Sequence, residues 1–213
     1  MNKFLFASLI FLVACAPTVN PTPTPQVITV YASPATQPWL SEVYKCAQGL
    51  QLIISDVNDP AQAALAIRMG EPAPLKSPAY EIGRDDLLIV TQPASPLQNL
   101  TVEQVRALFS DPGATTQIWV FAPAEDIQQV FSEDVMQGAP LTSQARLGLS
   151  PRQMSDAINN DKNVVGLLPR RWKTETAREL YSLADVPVLA LTQSEPHGAV
   201  QELLACLQKR PAP

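Results

Sequence analysis

The chain has 213 residues, with 15 Lys and Arg against 20 Asp and Glu, one His, three Cys, 21 Pro and 8 Gly; 46% of the side chains are hydrophobic and 16% charged. This supports a buried core in one large domain or two small lobes and excludes collagen-like and disordered acidic chains, while the net charge of -5 offers no broad attraction for nucleic-acid phosphates. With His197 the single histidine and the cysteines dispersed, multi-histidine metal sites and CxxC zinc knuckles are excluded, and neither metal nor cofactor is expected.

Lys3 precedes an apolar run, Phe4 to Ala14, broken only by Ser8 and too short to span a bilayer. It reads as a signal peptide over residues 1–14. The run ends Leu12-Val13-Ala14-Cys15, which resembles the bacterial lipobox and implies lipidation of Cys15; an ordinary secretory signal with an incidental cysteine is the alternative. Acyl chains would hold the protein at the extracytoplasmic face of the cell membrane, each buried CH₂ contributing about 0.8 kcal/mol. Residues 15–26 follow as a Pro/Thr-rich tether, extended at about 3.1 Å per residue. Cys46 and Cys206 then remain as an even pair outside the reducing cytosol, to be read as a disulfide or as two buried thiols.

From Val27 onward strands alternate with helices. Val27 to Ala32 predicts a strand, and Trp39, Leu40, Val43, Tyr44 and Ala47 recur at helical spacing up to Gly49. Leu50 to Ser55 and Ala64 to Met69 predict short strands on either side of a turn at Asp56 to Pro60, and prolines break Gly70 to Pro78. Leu87 to Thr91 is a strongly apolar strand. Thr101 and Gln104 form a capping box before a helix with Val102, Val105, Leu108 and Phe109 inward, stopped at Ser110-Asp111-Pro112-Gly113. Ile118 to Phe121 is a strand, Asp126 to Met136 a helix, and Ser150-Pro151 caps another helix. Val164 to Leu168 and Val186 to Leu191 are late strands separated by a helical or loop segment at Trp172 to Leu180, and Pro196 to Lys209 is a closing helix. The class is α/β.

Three phrases, Ile82-Gly83-Arg84-Asp85-Asp86-Leu87-Leu88-Ile89-Val90, Asn99-Leu100-Thr101-Val102-Glu103-Gln104-Val105-Arg106-Ala107-Leu108-Phe109-Ser110 and Ile118-Trp119-Val120-Phe121, together resemble the phosphate-type substrate-binding proteins of ABC importers. Asp161 to Pro169 is similar to that family's later Ile-Gly-Tyr strand. The resemblance spans about Val27 to Lys209. It implies a two-lobed periplasmic-binding-protein-like fold of type II with two crossing segments, residues 27–90 and 186–209 in one lobe and 91–185 in the other. It further implies that the helices carrying Cys46 and Cys206 share a lobe, that an oxyanion, nominally phosphate, binds in the cleft, and that an ABC permease is the partner of a monomeric receptor.

Such receptors hold an oxyanion with helix-terminal amides, Ser or Thr hydroxyls and an Arg. By resemblance, Ser33 and Thr36 occupy the family's first Ser/Thr-rich loop, with capping of the following helix as the plainer role for Thr36. Arg68 matches the family's Ser-Arg segment, or else pairs with Glu71 in solvent. Asp56 would accept a proton from a protonated oxyanion, or simply shape a turn. The second-lobe loop departs from the family's Gly-Ser-Gly-Thr and reads Pro123-Ala124-Glu125-Asp126. Two carboxylates there satisfy the helix dipole themselves, and at separations near 4 Å each would repel an anion by roughly 1 to 4 kcal/mol.

Arg170-Arg171-Trp172-Lys173 would touch a permease or an anionic surface, or form a solvated turn. Trp39 and Trp119 lie in apolar patterns and predict core. A Ser-His-Asp triad through His197 lacks a Gly-x-Ser-x-Gly elbow, so catalysis is not expected. The reading is a lipid-anchored solute-binding protein; a ligand-free or sensor lipoprotein that uses the same fold to bind an envelope protein is the alternative, favoured if the cleft is filled by its own side chains.

Overall fold

A computed structural model of the chain describes residues 25–209. The leader, Cys15 and the tether up to residue 24 lie outside the described residues. Strands β1 (Val27–Ala32), β2 (Ile53–Asp56) and β3 (Leu65–Met69) form a parallel group with β1 in the middle. Helix α1 (Leu40–Leu50) connects β1 to β2. Gln51 ends α1 in the left-handed region at φ 56°, so Gly49 is its penultimate residue and not its stop.

Two long strands join the halves of the molecule. β4 (Ala79–Thr91) and β8 (Arg178–Leu191) run antiparallel along nearly their whole lengths, with register shifts between Glu81 and Gly83, Asp85 and Leu87, and Ile89 and Val90. Each shift inserts backbone on one strand and increases local twist. At one end β8 pairs with β3, and at the other β4 pairs with β7 (Val164–Pro169). β5 (Gln117–Val120) and the two-residue β6 (Arg146–Leu147) continue in parallel beyond β7, giving the order β2-β1-β3-β8-β4-β7-β5-β6 among the described residues. The remaining helices are α2 (Val102–Ser110), α3 (Asp126–Val130, running on as a π-helical turn over Phe131–Met136), α4 (Pro151–Asn160) and α5 (Gly198–Lys209).

This sheet supports two hydrophobic cores. In the first lobe Val43 of α1 and Leu203, Leu204 and Leu207 of α5 pack on Ile28, Val30, Leu65, Ile67 and Val188. In the second, Val105 and Phe109 of α2, Phe131 and Val135, and Met154 and Ile158 of α4 enclose Leu87 to Val90 and Leu167; the Phe109 and Phe131 rings meet tilted, 4.7 Å apart. Leu87 to Val90 thus belong to the second core, and the crossing falls at Asp85 and Asp86, not after residue 90 as the sequence boundary placed it. The physical reason is that β4 begins eight residues earlier than its apolar run, at Ala79, with a polar half in the first lobe.

Charged residues in the crossing are compensated locally. The Asp86 carboxylate accepts from Arg170 Nε at 2.8 Å and from the Asp185 backbone N–H at 3.2 Å, and Arg170 also forks onto Glu179. Gly83 has no side chain because the Trp39 ring lies where one would go: a Cβ would sit 2.3 Å from the ring.

α1 and α5 share the first lobe, and a disulfide joins Cys46 to Cys206 across a sequence separation of 160. Closing a loop of that length stabilises the fold by about 5 kcal/mol through unfolded-chain entropy. Changing both cysteines to serine is expected to lower unfolding free energy by about 3–5 kcal/mol, measured by denaturant titration. A loss under about 1 kcal/mol would overturn the disulfide's role as the main staple of this lobe.

Candidate functional site

The cleft between the lobes is built where the carboxyl ends of β1 and β3 meet the first turn of α3. After β1 the chain turns at Ser33, whose backbone N–H donates to the Ile67 carbonyl of β3 at 3.0 Å. Thr36 is buried, and its hydroxyl donates to the same carbonyl at 2.9 Å. It makes no side-chain cap to the following turn, so its work is to pin this loop against β3. The hydroxyl of Ser33 is left to point across the cleft.

It points at Asp126. The Ser33 hydroxyl donates to Asp126 Oδ2 at 2.6 Å, the Met69 backbone N–H donates to the same oxygen at 2.7 Å, and the Ile127 N–H donates to Oδ1 at 2.8 Å. Asp126 is only 6% exposed. A hydroxyl from one strand end, a backbone amide from the next and an amide of a helix first turn are the donors that favour an oxyanion. Here they hold the protein's own carboxylate, delivered from the opposite lobe. The sequence placed Asp126 as a source of repulsion toward an anion; the structure makes it the anion.

Other contacts close the lobes around this one. Arg68 Nη2 donates to Gln129 Oε1 at 2.8 Å, one turn along α3 from Asp126. Gly70, at φ +73°, lies so close to α3 that a Cβ would be 2.3 Å from Val130 Cγ2; only glycine meets both demands. On the far side of the crossing the Arg171 guanidinium stacks 3.8 Å over the Trp39 ring, and Trp172 Nε1 donates to the Ala35 carbonyl at 3.0 Å. Arg171 also lies 4.0 Å from Asp85, a buried carboxyl pushed up by desolvation against the opposing pull of the Asp86 N–H and Arg171. The Arg170 to Lys173 cluster is therefore an internal strut and not a free basic surface: Arg170 and Lys173 are both paired with Glu179.

Beside the Ser33–Asp126 contact lies a cavity of about 230 Å³, walled by Tyr31, Ala66, Arg68 and Leu191 of the first lobe and Glu125 of the second. Several of its polar groups have hydrogen-bonding capacity to spare. Among the described residues the Tyr31 hydroxyl and the Glu125 carboxylate make no hydrogen bond, and Arg68 uses one N–H, with its Nε buried and unpaired. Burial, then Glu125 and Asp126, raise the Tyr31 pKa, with Arg68 opposing. Burial, then Asp126, hold the Glu125 carboxyl above its ordinary value. Desolvation lowers the Arg68 pKa, while Asp126, Glu133 and Tyr31 favour its charge.

Of the residues picked from sequence, the structure brings Ser33, Arg68, Glu125 and Asp126 together and sets Thr36 immediately behind Ser33. Asp56 is not among them. It ends β2 at the sheet edge and accepts from the Tyr44 hydroxyl at 2.5 Å, a pairing across α1 that a turn residue does not reveal. His197 Nδ1 faces the Glu195 carbonyl at 3.3 Å. Sequence reasoning missed Tyr31, signalled only by its place one residue before the end of β1, and Gln129, signalled by its position one helical turn after Asp126. No group of three or more potential metal ligands occurs among the described residues.

Neither a family model nor a curated protein matches this chain. Solved structures do match. A protein described as a phosphate ABC transporter substrate-binding protein with bound phosphate, from Clostridium perfringens, superposes with a TM-score of 0.75 at 11% identity over 85% of this chain and 93% of its own. An ABC-type phosphate transport receptor from Vibrio cholerae gives 0.63 at 16% identity over 85% and 93%. A mutant OxyR2 regulatory domain from Vibrio vulnificus gives 0.65 at 8% identity over 87% and 96%. At these identities the likeness establishes the fold alone: the two-lobed, periplasmic-binding-protein-like α/β fold, which serves both transport receptors and regulatory domains.

Removing the Asp126 carboxylate tests the anion seat. Asp126→Ala leaves the Ser33 hydroxyl and the Met69 N–H without an acceptor and is expected to destabilise the protein by about 1–3 kcal/mol. It should also make the melting temperature rise with added phosphate more than that of the parent protein does. A variant that loses stability yet stays silent to phosphate and sulfate would show that these donors do not form an anion site.

Proposed function

We propose that the protein is an extracytoplasmic solute-binding protein, anchored by lipid at Cys15 and tethered through residues 15–26, that presents a small solute to an ABC permease as a non-catalytic monomer. The observation that carries this reading is the cavity between the lobes, to which Tyr31 and a partly used Arg68 guanidinium from one side and Glu125 from the other bring polar groups with hydrogen-bonding capacity to spare. Of these, Arg68 Nε is buried and unpaired; leaving it so is costly, and a solute that pairs it recovers that free energy. The fold agrees with the reading but does not select among its ligands.

Phosphate is the nominal ligand implied by resemblance. It meets a seat that Asp126 already fills, with Glu125 adjoining, so free phosphate binds only after displacing a buried carboxylate. The working solute is therefore expected in the neighbouring cavity.

A second reading has its own support. Asp126 and the Arg171–Trp39 strut hold the lobes together without any solute, as a ligand-free lipoprotein docking an envelope protein would require. Intrinsic fluorescence melting of the full chain in detergent separates the two. A solute at a hundred times its dissociation constant raises stability by about 2.7 kcal/mol. The solute-binding reading expects such a rise with at least one of phosphate, sulfate, amino acids or polyamines, and phosphate to be the weak member. Silence throughout would overturn it in favour of the docking lipoprotein.

A further inference from the structure

The cavity carries opposite charges on opposite walls, and this restricts what fits. Arg68 is half-buried and offers the unpaired remainder of its guanidinium from β3. Glu125, on the other lobe, forms no ion pair among the described residues and has the like charge of Asp126 beside it. Both charges line one cavity without forming a salt bridge to each other.

An anion alone would pair with Arg68 while facing the like charges of Glu125 and Asp126, which repel it. A cation alone would satisfy Glu125 and leave Arg68 unpaired. Only a molecule with both charges pairs both walls. Ala66, Pro60 and Leu191 supply a short apolar surface between them, and the small volume admits few heavy atoms.

We propose that the cavity binds a small zwitterion of the amino-acid type, its carboxylate on Arg68 and the Tyr31 hydroxyl and its ammonium on Glu125, with the Asp126 seat staying filled by its own side chain. This deepens the solute-binding reading and rests on it. Asp126 then acts as a fixed part of the cleft: it occupies the donors that would otherwise capture a competing oxyanion, and its charge adds to that of Glu125 in favouring an ammonium group. Because ligand groups touch one charge on each lobe, binding also adds a bridge across the cleft.

The test is calorimetric titration of the full chain in detergent with glycine, alanine and γ-aminobutyrate, beside acetate, ethylamine, phosphate and putrescine. At least one amino acid is expected to bind, with acetate and ethylamine, its separated halves, silent at the same concentration. Glu125→Gln and Arg68→Gln should each weaken that binding by about ten- to a hundredfold, the loss of one charge-assisted pair. Unliganded melting curves of both variants check that the fold is retained. Tyr31→Phe provides a milder variant in case Arg68→Gln fails to fold; it should weaken binding by about three- to tenfold.

Two failures are distinguishable. Binding of phosphate or putrescine alone, sensitive to Arg68→Gln or Glu125→Gln, overturns the zwitterion and leaves solute binding intact. Binding of nothing in the panel overturns both. An amino acid that binds equally well to all three variants places its site elsewhere and overturns the proposal.

Discussion

The cleft depends on one buried carboxylate. Asp126 gathers a hydroxyl from the loop after β1, an amide from the end of β3 and an amide from its own helix. Its net charge offsets the partial positive charge of the amides that face it. Without such an acceptor, the Ser33 hydroxyl and the Met69 N–H would be buried donors with nothing to receive them, a cost that the rest of the packing would have to absorb. The close approach of α3 to Gly70 and the hydrogen bond between Arg68 and Gln129 both follow from α3 being drawn to this point. The state of the cleft is therefore set within the chain, before any solute is considered.

A second set of contacts makes the same choice from the other side of the crossing strands. Trp39 lies between Gly83 beneath and the Arg171 guanidinium above. Gly83 lies on the same side of the hinge as Trp39 and Arg171 beyond it, so opening the lobes would separate a stacked cation from its ring and expose Trp39, a side chain now 3% exposed. A guanidinium stacked on an aromatic face contributes on the order of 1 kcal/mol, more when desolvated. Closure thus rests on two clusters on either side of the crossing, one polar and centred on a carboxylate, the other aromatic and cationic. The cavity lies beside the first.

Much of this was legible in sequence where local pattern and tertiary role agree. The capping box at Thr101 and Gln104 forms as written, and small hydroxyl residues after β1, with an arginine in β3, marked the cleft. The failures have physical causes. The first half of β4 carries no predicted strand, and Trp172 to Leu180 reads as helix or loop although β8 begins at Arg178, because Glu81, Arg84, Asp86 and Glu179 interrupt the apolar pattern. Those charges find partners across the crossing, Arg170 for Asp86 and Glu179, and backbone pairing between the two strands supplies what hydrophobic alternation does not. The π-helical turn after Val130 puts Phe131, Val135 and Met136 inward, a spacing that a helical reading accommodates without marking the bulge. Asp56 reads as a cleft or turn residue and the Arg170 to Lys173 cluster as an outward or solvated one because their partners, Tyr44, Trp39, Ala35 and Glu179, lie far away in sequence or on another element. The sign of the Asp126 contribution was missed for a deeper reason: a carboxylate near an anion site repels a ligand or replaces it, and only geometry tells these apart.

The disulfide has a mechanical consequence. The described chain enters through β1 and leaves through α5, both on the first lobe, and Cys46–Cys206 ties α1 to α5 there, so that the covalent loop it closes carries the second lobe. The second lobe is an insertion hung on two antiparallel strands, with no end of its own. A pull on the segment before Val27 is taken up by β1, which lies between β2 and β3 and is loaded in shear along both ladders. The load passes from β1 to β2 and β3 within the first lobe and does not have to cross the hinge. Under the proposed anchorage, drag on the tether would leave the gap between the lobes unchanged, so the cleft reports its chemistry and not the tension on its leash.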